Sequence, residues 1–183
     1  IAKDYNVDLA INPEKKGHIN DFCFAYEQAK TKYVTLCHQD DVYDEKFAEI
    51  TIKKMDKEKN PIIAFTDYYE LREEKIVKSN MLLLVKRLIN FPLRIFKKSK
   101  KIRLFTLSLG NAICAPTVTY NKELIDSPIK QSNLKSNIDW DTWIDFAKKK
   151  GSFLYKRKEI MEKEQILEWE KKNEVNLYYC QQR

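Results

Sequence analysis

The sequence predicts an α/β domain, a mainly parallel sheet flanked by helices with a basic helical insertion, and three observations carry that expectation. Short apolar runs at residues 7–11, 33–37 and 62–66 have the length of buried strands. The segments between them repeat their apolar residues every three to four positions, the period of a helix. Turn signals separate the units, Asn12-Pro13 through Gly17 and then Asn60-Pro61. Short apolar strands alternating with amphipathic helices describe a sheet covered on both faces.

Taken in order, residues 7–11 form the first strand, and Ile19, Phe22, Cys23, Tyr26 and Lys30 mark one face of a helix. The strand at 33–37 follows. A helix over about 44–58 turns Ala48, Ile52 and Met55 inward, and a third strand spans 62–66. The pattern changes after Asp67-Tyr68-Tyr69. Residues 79–105 read as an amphipathic insertion of one or two helices, broken at Pro92, and residues 113–120 alternate like a strand despite Pro116. Ser136 or Asn137 caps a helix over 138–150 with the stripe Trp140, Trp143, Ile144 and Ala147, and Lys148-Lys149-Lys150 before Gly151 suits its carboxyl end. Residues 153–155 form a last short strand. The division is a domain over 1–160 and a charged helical tail over 161–183 in which Ile166 and Trp169 are the packing contacts.

Composition narrows the function classes. A chain of 183 residues that is 43% hydrophobic has the material for one packed core. Three glycines and no glycine-rich loop argue against a Walker-type or dinucleotide-fingerprint site. Cys23, Cys37, Cys114 and Cys180 contain no CxxC pair, which points to reduced thiols in a cytosolic setting rather than a zinc site or disulfide scaffold. Two histidines leave little for a His-rich metal site, and no apolar stretch reaches the roughly 18–20 residues of a membrane span. The net charge of +7 is concentrated: residues 75–122 hold no Asp or Glu and eleven Lys or Arg.

The most informative motif is His38-Gln39-Asp40-Asp41, at the carboxyl end of the second strand. Ligands of α/β sheets bind at that end, and adjacent carboxylates there can hold a divalent cation against nucleotide phosphates. Asp40 and Asp41 also suit a turn and a helix cap, so both readings stand. Asp67, after the third strand, either touches the same site or caps a turn.

The run Gly17-His18-Ile19-Asn20, the amphipathic helix, Tyr33-Val34 and Gln39-Asp40-Asp41 resembles the middle of family 2 glycosyltransferases. Farther along, Gly110-Asn111, Pro116-Thr117-Val118 and residues 138–143 resemble that family's acceptor-side elements and the helix of its catalytic base. The resemblance extends over about residues 7–155 and implies the GT-A fold. It also implies a nucleotide-diphosphate sugar donor, a Mn2+ or Mg2+ cofactor, a glycan or lipid-linked acceptor, and inverting single displacement, in surface polysaccharide or cell-wall glycan synthesis. It places Asp41 on the metal, Asp40 on the metal or the donor ribose, and Asp139 as the base. An acid in the first turn of a helix is also favoured by the dipole alone. Trp140 and Trp143 read as core rather than sugar platforms. His38 replaces the family's usual first acid, which leaves it either a metal or phosphate contact or a sign that only the latter part of the motif is retained; Ile138 stands where an acid often precedes the base. The family's opening strand–helix–strand does not precede Ile1, so its base-binding pocket is expected to be missing from this chain.

The basic segment supports a second class of function, peripheral contact of 79–105 with an anionic membrane at its cytoplasmic face, with no nucleic-acid motif beside it. A non-catalytic module scaffolding partners on a glycosyltransferase fold is the alternative to an enzyme, and a solvated basic face is the alternative to membrane contact.

Overall fold

The computed structural model describes residues 10–14, 17–38, 41–72, 75–130 and 136–156. Most of the expected strand at 7–11 and the tail from 161 lie outside the described residues, and Ala10 and Ile11 form no strand. Helix α1 (His18–Gln28) leads to β1 (Tyr33–Thr35), α2 (Phe47–Asp56) and β2 (Pro61–Thr66). A hairpin of β3 (Glu70–Arg72) and β4 (Lys75–Val77) precedes α3 (Met81–Ile95) and α4 (Lys100–Ser108). A 3-10 turn (Ala115–Thr117) then enters β5 (Thr119–Asn121), and α5 (Ile138–Lys148) and β6 (Ser152–Lys156) complete the described chain.

The main sheet has the order β1-β5-β2-β6 and is mixed rather than mainly parallel. Strand β5 runs antiparallel to both β1 and β2, whereas β2 and β6 are parallel, so β1, β2 and β6 all point the same way. Apolar runs specify burial but not direction, and an antiparallel strand needs no crossover helix of its own. The expected strand at 113–120 shrinks to three residues because Pro116, with no N–H to give a ladder, sits in the 3-10 turn. Side chains fix β5 in place: Thr35 and Thr119 hydroxyls meet at 2.6 Å, and the buried Asn121 amide donates to the Pro61 carbonyl at 2.9 Å. Just past β5, Lys122 donates to the Tyr26 and Ala29 carbonyls at the carboxyl end of α1, where the helix dipole favours a cation.

Two helices sit differently from expectation. Helix α2 buries Thr51 and Met55 but leaves Ala48 and Ile52 exposed. It is rotated so that Lys54 reaches the Tyr155 carbonyl, and Glu58 beyond its end meets Lys97 and Lys98. Helix α3 does not break at Pro92; it continues to Ile95, with Asn80 capping its start by accepting from the Leu83 N–H at 2.8 Å. The missing Pro92 N–H deprives only the Leu88 carbonyl of its usual partner.

The core lies between the sheet and α1, α3, α4 and α5. Its aromatic centre is Tyr26, Tyr120, Trp143 and Phe146, with Phe65 stacked on Tyr155 at 5.3 Å on the neighbouring strands. Arg103 of α4 is also buried, 1% exposed, and donates to the carbonyls of Ala147, Lys149 and Gly151 at the carboxyl end of α5. Gly151 turns the chain from α5 into β6 with φ +149°, and a Cβ there would stand 2.5 Å from the Asn60 carbonyl. This close approach seats β6 beside β2, where the Ser152 N–H donates to that same carbonyl at 2.9 Å.

Candidate active site

The topology delivers the candidate residues to one end of the sheet. His38 and Asp41 follow the carboxyl end of β1. Because β5 is antiparallel, Asn111, Cys114 and the 3-10 turn that lead into it arrive at that same end, where Thr119 pairs with Thr35. Helix α5 returns the chain to begin β6 beside Pro61, so its amino end, with Asp139, lies at the opposite end, beside His38. This is the end at which α/β sheets bind ligands.

A cleft of about 260 Å³ opens there, walled by Phe22 and His18 of α1, His38, Ala115, Pro128-Ile129, and Asn137, Asp139 and Trp143 of α5. His38 stacks on Phe22 with ring centres 5.3 Å apart, and His18 meets Phe22 edge-on at 6.4 Å. The wall from α1 is therefore aromatic and flat, suited to a planar or sugar-ring ligand.

Asp139 occupies the first turn of α5, where the dipole stabilises a carboxylate. It is half-buried and accepts a hydrogen bond from the Asn111 side-chain amide at 2.7 Å, which fixes its orientation. The turn before it is shaped by Asn137 in the left-handed region, φ 55°. Lys130 holds Asp141 at 3.1 Å, and its N–H donates to the Thr142 hydroxyl at 3.0 Å, tying this helix end to the loop after β5.

Asp41 is 44% exposed, with Oδ2 3.9 Å from His38 Nδ1, and its N–H donates to the His38 carbonyl in a turn. Asp40 lies outside the described residues. Cys114 shows how the two predicted carboxylates relate: burial pushes its thiol up to about 11, Lys86 pulls it down, and Asp41 and Asp139 both push it up. The thiol thus sits within electrostatic reach of both carboxylates and of one amine. Tyr43, its hydroxyl also raised by burial, Cys37 and Asp41, donates to the Pro116 carbonyl at 2.9 Å and joins the Asp41 segment to the 3-10 turn.

Among the described residues no three His, Cys, Asp or Glu side chains gather as a metal cage. His38 and Asp41 offer an imidazole nitrogen and a carboxylate at a separation two ligands of one ion can share. This fits a cation that takes few protein ligands and completes its shell with phosphates and water.

Asp67 neither enters this cleft nor caps a turn. It is buried, accepts from the Tyr155 hydroxyl and lies 3.5 Å from Arg87, bracing β2, β6 and α3 together. Trp143 is 1% exposed and Trp140 donates to the Leu107 carbonyl at 2.9 Å, so both are packing residues, although Trp143 also backs the cleft. The resemblance placed Gly110-Asn111 among acceptor-side elements but gave Asn111 no partner, and Phe22 was visible only as one member of an apolar stripe.

Residues 1–126 match the sequence profile described as Glycosyl transferase family 2. No curated protein and no solved structure matches the chain. The matched span takes in His38, Asp41 and Asn111 and stops before α5, so it does not include Asp139. With well over half its length covered, the chain belongs to glycosyl transferase family 2.

Proposed function

We propose that this family 2 glycosyl transferase moves a sugar from a nucleotide-diphosphate donor to an acceptor hydroxyl in one inverting displacement. Asp139 serves as the base in this reading. The observation that supports it most is the single cleft walled by both His38 and Asp139, with Asp41 next to His38. An acceptor hydroxyl must lose its proton as it attacks the anomeric carbon, and a carboxylate held by the Asn111 amide and a helix amino end suits that task. Asp41 and His38, with Asp40 beside them in sequence, would hold a Mn2+ or Mg2+ ion. Its chemistry is to neutralise charge on the departing nucleotide diphosphate. The Phe22–His38 stack offers a flat surface for the donor. The acceptor class of this reading is a glycan or lipid-linked glycan of surface polysaccharide or cell-wall synthesis, taken from the family resemblance.

The test is melting of the full-length natural protein with Mn2+ or Mg2+ and a panel of nucleoside diphosphates. A rise in melting temperature with metal plus nucleotide, absent in Asp41→Ala, is the expected result. Asp139→Asn should keep the rise and end sugar transfer. No rise with any nucleotide refutes the donor site, and transfer that survives in Asp139→Asn refutes the base.

A further inference from the structure

Helix α3 is packed inside out. Its inward face carries Lys86, Arg87 and Asn90 beside Leu83 and Leu93. The polar members are all engaged there: Lys86 donates to the Tyr68 hydroxyl at 2.7 Å, Arg87 to the Lys78 carbonyl at 2.7 Å, and Asn90 to the Ala112 carbonyl at 3.0 Å. The outward face repeats Met81, Leu84, Val85, Leu88, Phe91 and Ile95 at helical spacing, and every one is exposed, Met81 at 77%, Leu88 at 65% and Ile95 at 61%. Phe96, Phe105 and Leu109 add exposed apolar surface on the connection to α4 and on α4 itself. A surface helix ordinarily shows the reverse arrangement, and an apolar face of this extent marks an interaction site.

Charge identifies what covers it. Arg94, Lys98, Lys100 and Lys101 are exposed at the end of α3 and the start of α4. Positive charge accumulates beside them: Lys54 is lowered to about 8 by burial and then by Lys156, Lys97 and Arg94. A second copy of the chain docking face to face would set these cations against themselves, whereas an anionic surface neutralises them. We propose that α3, the Phe96 connection and α4 form a docking surface for an anionic lipid bilayer. The apolar side chains enter the acyl boundary, and Arg94, Lys100 and Lys101 meet headgroup phosphates.

Flotation of the protein with phosphatidylcholine vesicles, with or without about one third phosphatidylglycerol, tests this. Binding to the anionic vesicles alone, weakened by salt, is expected. Leu88→Glu/Phe91→Glu should abolish it. Lys100→Glu/Lys101→Glu, which leaves the apolar face intact, should weaken it at least about tenfold. All four positions are exposed, so both variants should keep the wild-type melting temperature and any shift with nucleotide. Equal binding to neutral and anionic vesicles, or binding to neither, overturns the proposal. So does a wild-type dimer in sedimentation that Leu88→Glu/Phe91→Glu dissociates.

Discussion

Arg103 is the residue on which the position of α5, and so of Asp139, most depends. Its guanidinium is buried, and burial lowers its pKa from the ordinary arginine value without making it neutral at working pH. Nε and Nη2 donate to Ala147 at 3.2 and 3.0 Å, Nη2 to Lys149 at 2.7 Å, and Nη1 to Gly151. These carbonyls are the unpaired end of α5 and the turn after it, which the helix itself cannot satisfy. Arg103→Met keeps most of the volume but orphans three carbonyls, at about 1–2 kcal/mol each. Relief from burying the cation offsets part of this. The net loss should be about 3 kcal/mol, which is about 6–12 °C in melting temperature for a chain of this size. In urea the midpoint should fall by about 1.5 M. Arg103→Lys keeps the charge but not the fork of donors and should fall between the two. A loss below about 1 kcal/mol for Arg103→Met would show that α5 holds its end without the guanidinium.

If Asn111 orients the base, Asn111→Ala should lower turnover about tenfold, the value of one hydrogen bond to a charged group, with no change in the nucleotide-induced melting shift. Alkaline stability should show a maximum. The lowered pKa of Lys54 means the unfolded chain holds an extra proton between about pH 8 and 10.5, so stability rises across that window. Tyr26 and Tyr120 are raised by burial above 10.0, so the folded chain keeps protons that the unfolded one loses and stability falls above about pH 10. Lys54→Met should flatten the rise and stabilise at pH 7 by about 1 kcal/mol after discounting for solvent screening, as urea titrations across pH would read. Cys37 is exposed while Cys114 is held up to about 11, so at pH 8 a thiol reagent should modify Cys37 well before Cys114, as peptide mass spectrometry would read.

The parts of the fold legible in the sequence are those a local pattern determines. Residues 33–35, 61–66 and 152–156 are strands because apolar, β-branched and aromatic side chains pack on both faces there. Helix α5 follows from its stripe, and the seat of Gly151 from the chain's need for a residue at φ +149° pressed against Asn60. What could not be read is what depends on distant partners. The direction of β5 is set by where the α3–α4 excursion returns the chain. The rotation of α2 is set by ion pairs of Glu58 with lysines about forty positions away.

The same division explains the site. The sequence could mark His38 and Asp41 as polar groups at a strand end and Asp139 as an acid at a helix start, but the roles proposed for them come from the family resemblance. Asn111 was marked only as part of a Gly-Asn pair in an acceptor-side element, and its partner appears only when the fold sets its amide 2.7 Å from Asp139. Helix α3 shows the limit from the other direction. Its period was plain in the sequence, but a period does not say which face turns inward. The apolar face points to solvent because Asp67 and Tyr68 at the end of β2, with Ala112 before β5, offer partners for Arg87, Lys86 and Asn90. A buried carboxylate at a strand end, read at first as a site residue or a turn cap, thereby helps decide which side of the helix is left to solvent.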